Sequence, residues 1–172
     1  LTTTSAASRC ATGYPVVKYY NVAEATSNHN VGTLDAAVFR LGEMLLIRAE
    51  AAAELGTITQ SELDMTINAL RARVGFNHKL TMSPDVDPQL AIDYPNVSGA
   101  NATLIREIRR ERRIELVGEG FRYDDIRRWA CGKLLEAPRL GVHVDRAGYT
   151  AEDASILKAE VGVNAEGYLT PY

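Results

Sequence analysis

The segment from Leu104 to Trp129, LIREIRRERRIELVGEGFRYDDIRRW, concentrates the side chains best able to do chemistry. Eight arginines stand among six acids there, so its charge is mixed rather than basic. Glu107, Glu111, Glu115 and Glu119 recur every four residues. On a helix such a series advances only about 40° per step. With Leu104 at the origin, Glu111 and Glu115 fall at about 340° and 20°, among Leu104, Ile108 and Ile105. Like charges at this spacing repel, and a carboxylate on an apolar face needs a partner. Three chemistries fit these residue types. One is an ion-pair network that fastens two helices, with Glu111, Glu115 and Glu119 receiving Arg122, Arg127 and Arg128 from the next helix. A second is nucleic-acid binding, which the interleaved acids oppose because phosphate contacts call for a net positive stripe. The third is paired-carboxylate acid–base catalysis, which needs one raised pKa, whereas neighbouring guanidinium groups lower carboxylate pKa values. The network is the favoured reading.

No cofactor or metal is implied. His29, His78 and His143 are scattered, and none lies at ligand spacing from another His or Cys. Cys10 and Cys131 are too few for a disulfide scaffold, and Cys131, beside Trp129, reads as a buried free thiol.

Four helical segments must position these groups. The first, about 35 to 55, carries Val38, Leu41, Leu45, Ala49 and Ala52 along one side, with Arg40, Glu43, Glu50 and Glu54 opposite. Its apolar arc is broad enough to require neighbours on two sides, and Gly56 is a natural stop. Thr59-Gln60-Ser61-Glu62 has capping-box form and opens a second helix, about 60 to 74, closed by Gly75. A third spans about 102 to 117 and a fourth about 122 to 135, separated by Gly118 and Gly120. The chain thus reads as one partial domain: loop and short strand over 1–34, helical hairpin over 35–75, proline-rich loop over 76–101, helical hairpin over 102–136 and irregular tail over 137–172. The fold class is mainly α, with tetratricopeptide-like hairpins and long irregular loops. The 172 residues, 46% of them hydrophobic, suffice for a core, and the formal charge of −3 argues against a generic polyanion binder. No apolar run is long enough to span a membrane. Leu1 and the uncharged end at Tyr172 read as cut points.

Three motifs, in order, carry a resemblance. They are Arg40-Leu41-Gly42-Glu43-Met44-Leu45-Leu46-Ile47-Arg48-Ala49-Glu50-Ala51, then Ile67-Asn68-Ala69-Leu70-Arg71-Ala72-Arg73-Val74-Gly75, then Arg112-Arg113-Ile114-Glu115-Leu116 with Glu119-Gly120-Phe121-Arg122-Tyr123-Asp124-Asp125-Ile126-Arg127-Arg128-Trp129. Together they resemble the RagB/SusD family over about half the chain. The resemblance implies a non-catalytic surface lipoprotein of the Bacteroidetes outer membrane. It implies binding of oligosaccharides or other nutrients above a SusC-like, TonB-dependent transporter, with no nucleic-acid partner. Cys10 lacks a lipobox context, so the lipid anchor is not carried onto it and is expected outside this chain. In the family the ligand site draws on further segments.

Glycan recognition stacks aromatic faces on sugar rings and fixes hydroxyls with planar polar groups. The loop residues of those types are Tyr19, Tyr20, Asn28 and His29, then Tyr94 and Asn96, with Tyr149 and Tyr168 in the tail. Trp129 lies inside a helical motif and reads as core. A helical-repeat module binding a protein partner is the alternative, because the same scaffold serves both.

Overall fold

The computed structural model describes residues 18, 35, 37–136, 143 and 162–170. It is mainly helical. The chain divides into two compact units, 1–36 with 138–172, and 37–137.

The second unit begins with α1, Leu41–Glu54. The expected start near residue 35 is not observed: Arg40 is extended, and Val38 and Phe39 are exposed. The buried face also differs from the expected one. It is Gly42, Leu46, Ala49, Glu50 and Ala53, while Leu41 is exposed. These small residues let α1 pack chiefly on α5, Ala102–Glu115, and a carboxylate in the stripe is tolerable because it is fully bonded there. Asn101 precedes α5 and donates Nδ2 to the Ala53 carbonyl, which also accepts the Gly56 amide at the end of α1.

The second expected helix is two. Helices α2, Gln60–Met65, and α3, Ile67–Arg73, meet at Thr66, whose ψ of −91° leaves the helical region. Thr59 caps α2 by accepting the Glu62 amide, and the Thr66 hydroxyl donates to the Glu62 carbonyl at the break. Gly75, at φ +76°, closes α3 in the left-handed region.

The proline-rich stretch contains a helix the sequence reading missed, α4, Pro88–Asp93. Asp87 caps it through the Gln89 amide, and Pro88 occupies the first turn. Leu90, Tyr94 and Val97 then turn inward.

Helix α6, Arg122–Arg128, ends at Trp129, short of the expected 135; Ala130 enters the left-handed region at φ +52°. A short 3₁₀ helix, Gly132–Leu135, follows. Leu46, Leu63, Ile67, Leu104 and Ile108 form the centre of one core, with Tyr94 and Trp129 packed edge to face beside them.

The described part of the other unit is an antiparallel pair, β1, Gly162–Val163, with β2, Leu169–Thr170. Its turn is held by the Asn164 side chain, which accepts the Tyr168 amide, and by Gly167 at φ +89°. Tyr168 packs on His143 with ring centroids 5.0 Å apart.

Candidate functional site

Helix α5 is the strut on which the polar structure hangs. Its buried residues include Glu107, Arg109 and Arg112 as well as Leu104, Ile105 and Ile108. Glu111 and Glu115 take guanidinium partners, but not the predicted ones. Glu111 receives Arg71 of α3, at 2.5 Å from Nη2 and 3.2 Å from Nε. Glu115 receives Arg40 at 3.1 Å and Arg73 at 2.7 Å, and Glu119 receives Arg40 at 2.6 Å. The network therefore fastens the end of α5 to the start of α1 and to α3, not to the following helix. The reason is direction: α5 lies along α1, so its last turn meets Arg40, while α6 turns away after Gly118 and Gly120.

Arg128 instead clamps Glu50 of α1 through both nitrogens at 2.7 Å. Glu50 also accepts the Trp129 indole N–H at 2.6 Å. Burial raises the Glu50 pKa, but the bonds from Arg128 and Trp129 outweigh it and hold the carboxyl below its ordinary value. Asp125 accepts Arg112 Nε at 2.9 Å and Arg128 Nε at 2.8 Å. Arg127 is exposed and stands over the Tyr123 ring at 5.8 Å. Arg122 places its Nη1 in the interior without a hydrogen-bond partner. Arg109 and Arg128 lie over the Trp129 ring at 4.9 and 4.5 Å.

Tyr94 is the second correction. Read from sequence as a loop aromatic facing a ligand, it is fully buried, edge-on to Trp129 and beneath Arg109. It has no face left for a sugar, because α4 delivers it to the core. Asn96 is exposed, and its amide donates to the Ala130 carbonyl at 3.0 Å. Tyr19, Tyr20, Asn28, His29 and Tyr149 lie outside the described residues, as does Cys10. Cys131 is a buried free thiol, its pKa raised by burial.

The loop from His78 to Asp87 forms, with α5, a polar cleft of about 410 Å³. Side chains of α2 and α3 hold the loop in place. Asn68 brackets Leu80, donating to its carbonyl at 3.0 Å and accepting its amide at 2.7 Å. Gln60 repeats the device one step on, with the Leu80 carbonyl and the Met82 amide. Arg71 donates to the His78 carbonyl at 2.8 Å, and Arg110 to Asp87 at 3.2 Å. With its backbone so engaged, the loop lends Lys79, Thr81, Ser83 and Asp85 to the cleft wall. Glu107 at the base is paired with Arg110, and burial raises its pKa. Donors and acceptors of both charges thus line one concavity, which suits a neutral polyhydroxylated ligand. Sequence reasoning named Tyr94 and Asn96 in the proline-rich 76–101 stretch but not Lys79, Thr81, Ser83 or Asp85; the Gln60 and Asn68 straps that set them are long-range.

Among the described residues, no three His, Cys, Asp or Glu side chains are grouped to hold a metal ion, and no helix is long and apolar enough to cross a membrane. A model of the SusD family matches residues 2–168. The chain belongs to the SusD family. No curated protein and no solved structure matches it. SusD proteins are in general non-catalytic binders of glycans and other nutrients at the cell surface. They are typically outer-membrane-associated and associate with SusC-like transporters.

Proposed function

We propose that this SusD-family chain binds a glycan at the bacterial surface and presents it to a TonB-dependent outer-membrane transporter, without chemistry of its own. The observation that carries the reading is the family match over residues 2–168. The cleft under the strapped loop adds to it: Lys79 and Asp85 give a hydroxyl-rich ligand one donor and one acceptor, on a backbone held by Asn68 and Gln60. In this reading the helices form a tetratricopeptide-like array, the protein is a surface lipoprotein, and Tyr19, Tyr20, Asn28, His29 and Asn96 contribute contacts from the other loops. Calorimetric titration with a panel of neutral oligosaccharides tests it. One or more should bind with Kd in the micromolar to millimolar range, and Lys79→Ala with Asp85→Ala should weaken that binding at least tenfold while leaving the helical circular dichroism intact. Hydrolysis of the oligosaccharide at an enzyme-like rate would overturn it.

A second reading, a protein-binding helical module, has its own support. Val38, Phe39 and Leu41 at the head of α1 are 76%, 81% and 72% exposed, an apolar cluster interrupted only by Arg40.

A further inference from the structure

The described lining of the loop cleft contains no Phe, Tyr or Trp, although a sugar ring is best held by an aromatic face. Tyr94 and Trp129 are buried and present none. The aromatic at the edge of the cleft is Phe76, which is 53% exposed. Residues Phe76, Asn77, His78 and Lys79 form an exposed run that leads from the end of α3 into the cleft wall, to which His78 and Lys79 belong. Two residues of that wall hold the ring. The Arg71 guanidinium lies over one face, 5.3 Å from the centroid. The His78 ring meets it edge-on, with centroids 6.3 Å apart and planes at 61°.

The backbone beneath the ring is fixed as well. Helix α3 ends in a Schellman closure: the Phe76 amide donates to the Arg71 carbonyl at 2.9 Å and the Gly75 amide to the Ala72 carbonyl at 3.0 Å, with Gly75 left-handed. An apolar residue in the place of Phe76 ordinarily covers an apolar side chain in the last turn of its helix. Here the side chain it meets is Arg71, 5% exposed, whose nitrogens are committed to Glu111 and to the His78 carbonyl. The ring therefore rests on an immobile, desolvated cation, the setting in which such a contact is strongest. The side of the ring away from Arg71 is left to solvent. A face held in place before a ligand arrives gives up little freedom on binding.

We propose that Phe76 is the stacking platform of the loop-cleft site: one pyranose ring of a neutral oligosaccharide lies with its C–H face on the open side of the Phe76 ring, while the neighbouring sugar reaches past His78 to Lys79 and Asp85. The assignment rests on the glycan reading of that cleft. It selects rings whose hydroxyls are equatorial, because these present a flat C–H face; glucose is such a ring.

The 172-residue chain is titrated by calorimetry with cellotetraose, laminaritetraose and maltotetraose. At least one should bind saturably. Phe76→Leu keeps apolar bulk over Arg71 without a π-face and should weaken that binding about tenfold with unchanged circular dichroism, whereas Phe76→Tyr should retain it. The indole introduced by Phe76→Trp supplies a readout that does not depend on loss. Trp129, the only natural tryptophan, is 4% exposed, so the new indole should give a saturable fluorescence change at the calorimetric Kd. Binding that Lys79→Ala and Asp85→Ala weaken but Phe76→Leu leaves intact would overturn the platform and spare the glycan reading of the cleft. So would an indole at this position that does not respond while calorimetry records binding. Binding of none of the three tetrasaccharides would overturn the platform together with its preference for glucose chains, and binding of no neutral oligosaccharide at all would remove the glycan reading beneath it.

Discussion

Replacing Glu50 by alanine tests whether the buried carboxylate joins α1 to α6. The carboxylate receives the Trp129 indole N–H at 2.6 Å and the Arg128 fork at 2.7 Å, with Arg109 at 4.0 Å. Trp129 is 4% exposed, so its stranded N–H costs about 1–3 kcal/mol. The Arg128 side chain is 43% exposed and can rehydrate, so losing its pair adds only about 0–1 kcal/mol. The Arg109 side chain is 9% exposed and keeps only Glu54 as a carboxylate partner, which brings the total to the ~3–5 kcal/mol expected for breaking a buried pair. That is a large share of a typical stability of about 5–15 kcal/mol. Urea unfolding followed by circular dichroism should show a midpoint lower by about 2 M, for a slope near ~2 kcal/mol/M, with the slope itself unchanged. Arg128→Ala leaves the buried Glu50 and Asp125 carboxylates each short of a guanidinium donor, so it should also destabilise, by about 1–3 kcal/mol. The pH dependence has a fixed sign. Because the folded carboxyl titrates below its ordinary value, its stabilisation is complete above about pH 4.3 and is lost as pH falls through the depressed pKa. Glu50→Gln should remove that part of the acid limb. A Glu50→Ala cost below about 1 kcal/mol would refute the reasoning.

Three further outcomes follow from the same geometry. Asn68→Ala should cost about 1–3 kcal/mol, because the buried Leu80 amide loses its acceptor, and hydrogen exchange at Leu80 should accelerate; unchanged protection there would contradict the strap. Gly42→Ala should not stabilise the protein, although alanine is worth up to about 1 kcal/mol in a helix. The added Cβ would lie 3.0 Å from a Glu115 oxygen that Arg40 and Arg73 hold in place, so thermal melting should show an unchanged or lower Tm, and a clear rise would contradict this packing. Glu107, raised by burial, binds its proton more tightly folded than unfolded, so stability should fall as pH rises from the ordinary carboxylate range through the raised pKa. Urea midpoints against pH should show that decline in the natural chain and not in Glu107→Gln.

Element types near the chemistry were legible because they are written locally. The Thr59 cap, the stops at Gly56 and Gly75 and the core of the 102–117 helix all rest on residues within one or two turns. Helix α4 was legible too, in Asp87-Pro88 followed by Leu90 and Tyr94 at helical spacing, but three prolines and three aspartates in the surrounding loop outweighed it. The break at Thr66 was not legible, since the apolar positions Leu63, Ile67 and Leu70 keep helical spacing across it.

The ion pairs show where sequence periodicity stops being informative. The four-residue repeat correctly marks Glu111 and Glu115 as carboxylates that need guanidinium partners, because that follows from the face of one helix. Which arginine arrives depends on how helices cross. Arg71 is 40 residues from Glu111 and Arg40 is 75 from Glu115, whereas the expected donors on α6 were next in sequence. Nearest in sequence is a sound guess for hairpins whose helices run back along each other, but α6 is only seven residues long and turns its basic end toward Glu50 of α1. The motif residues are therefore divided between two tasks. Glu111, Glu115 and Glu119 tie α5 to Arg71, Arg73 and Arg40, while Arg128 and Trp129 converge on Glu50 and Asp125 joins Arg128 to Arg112.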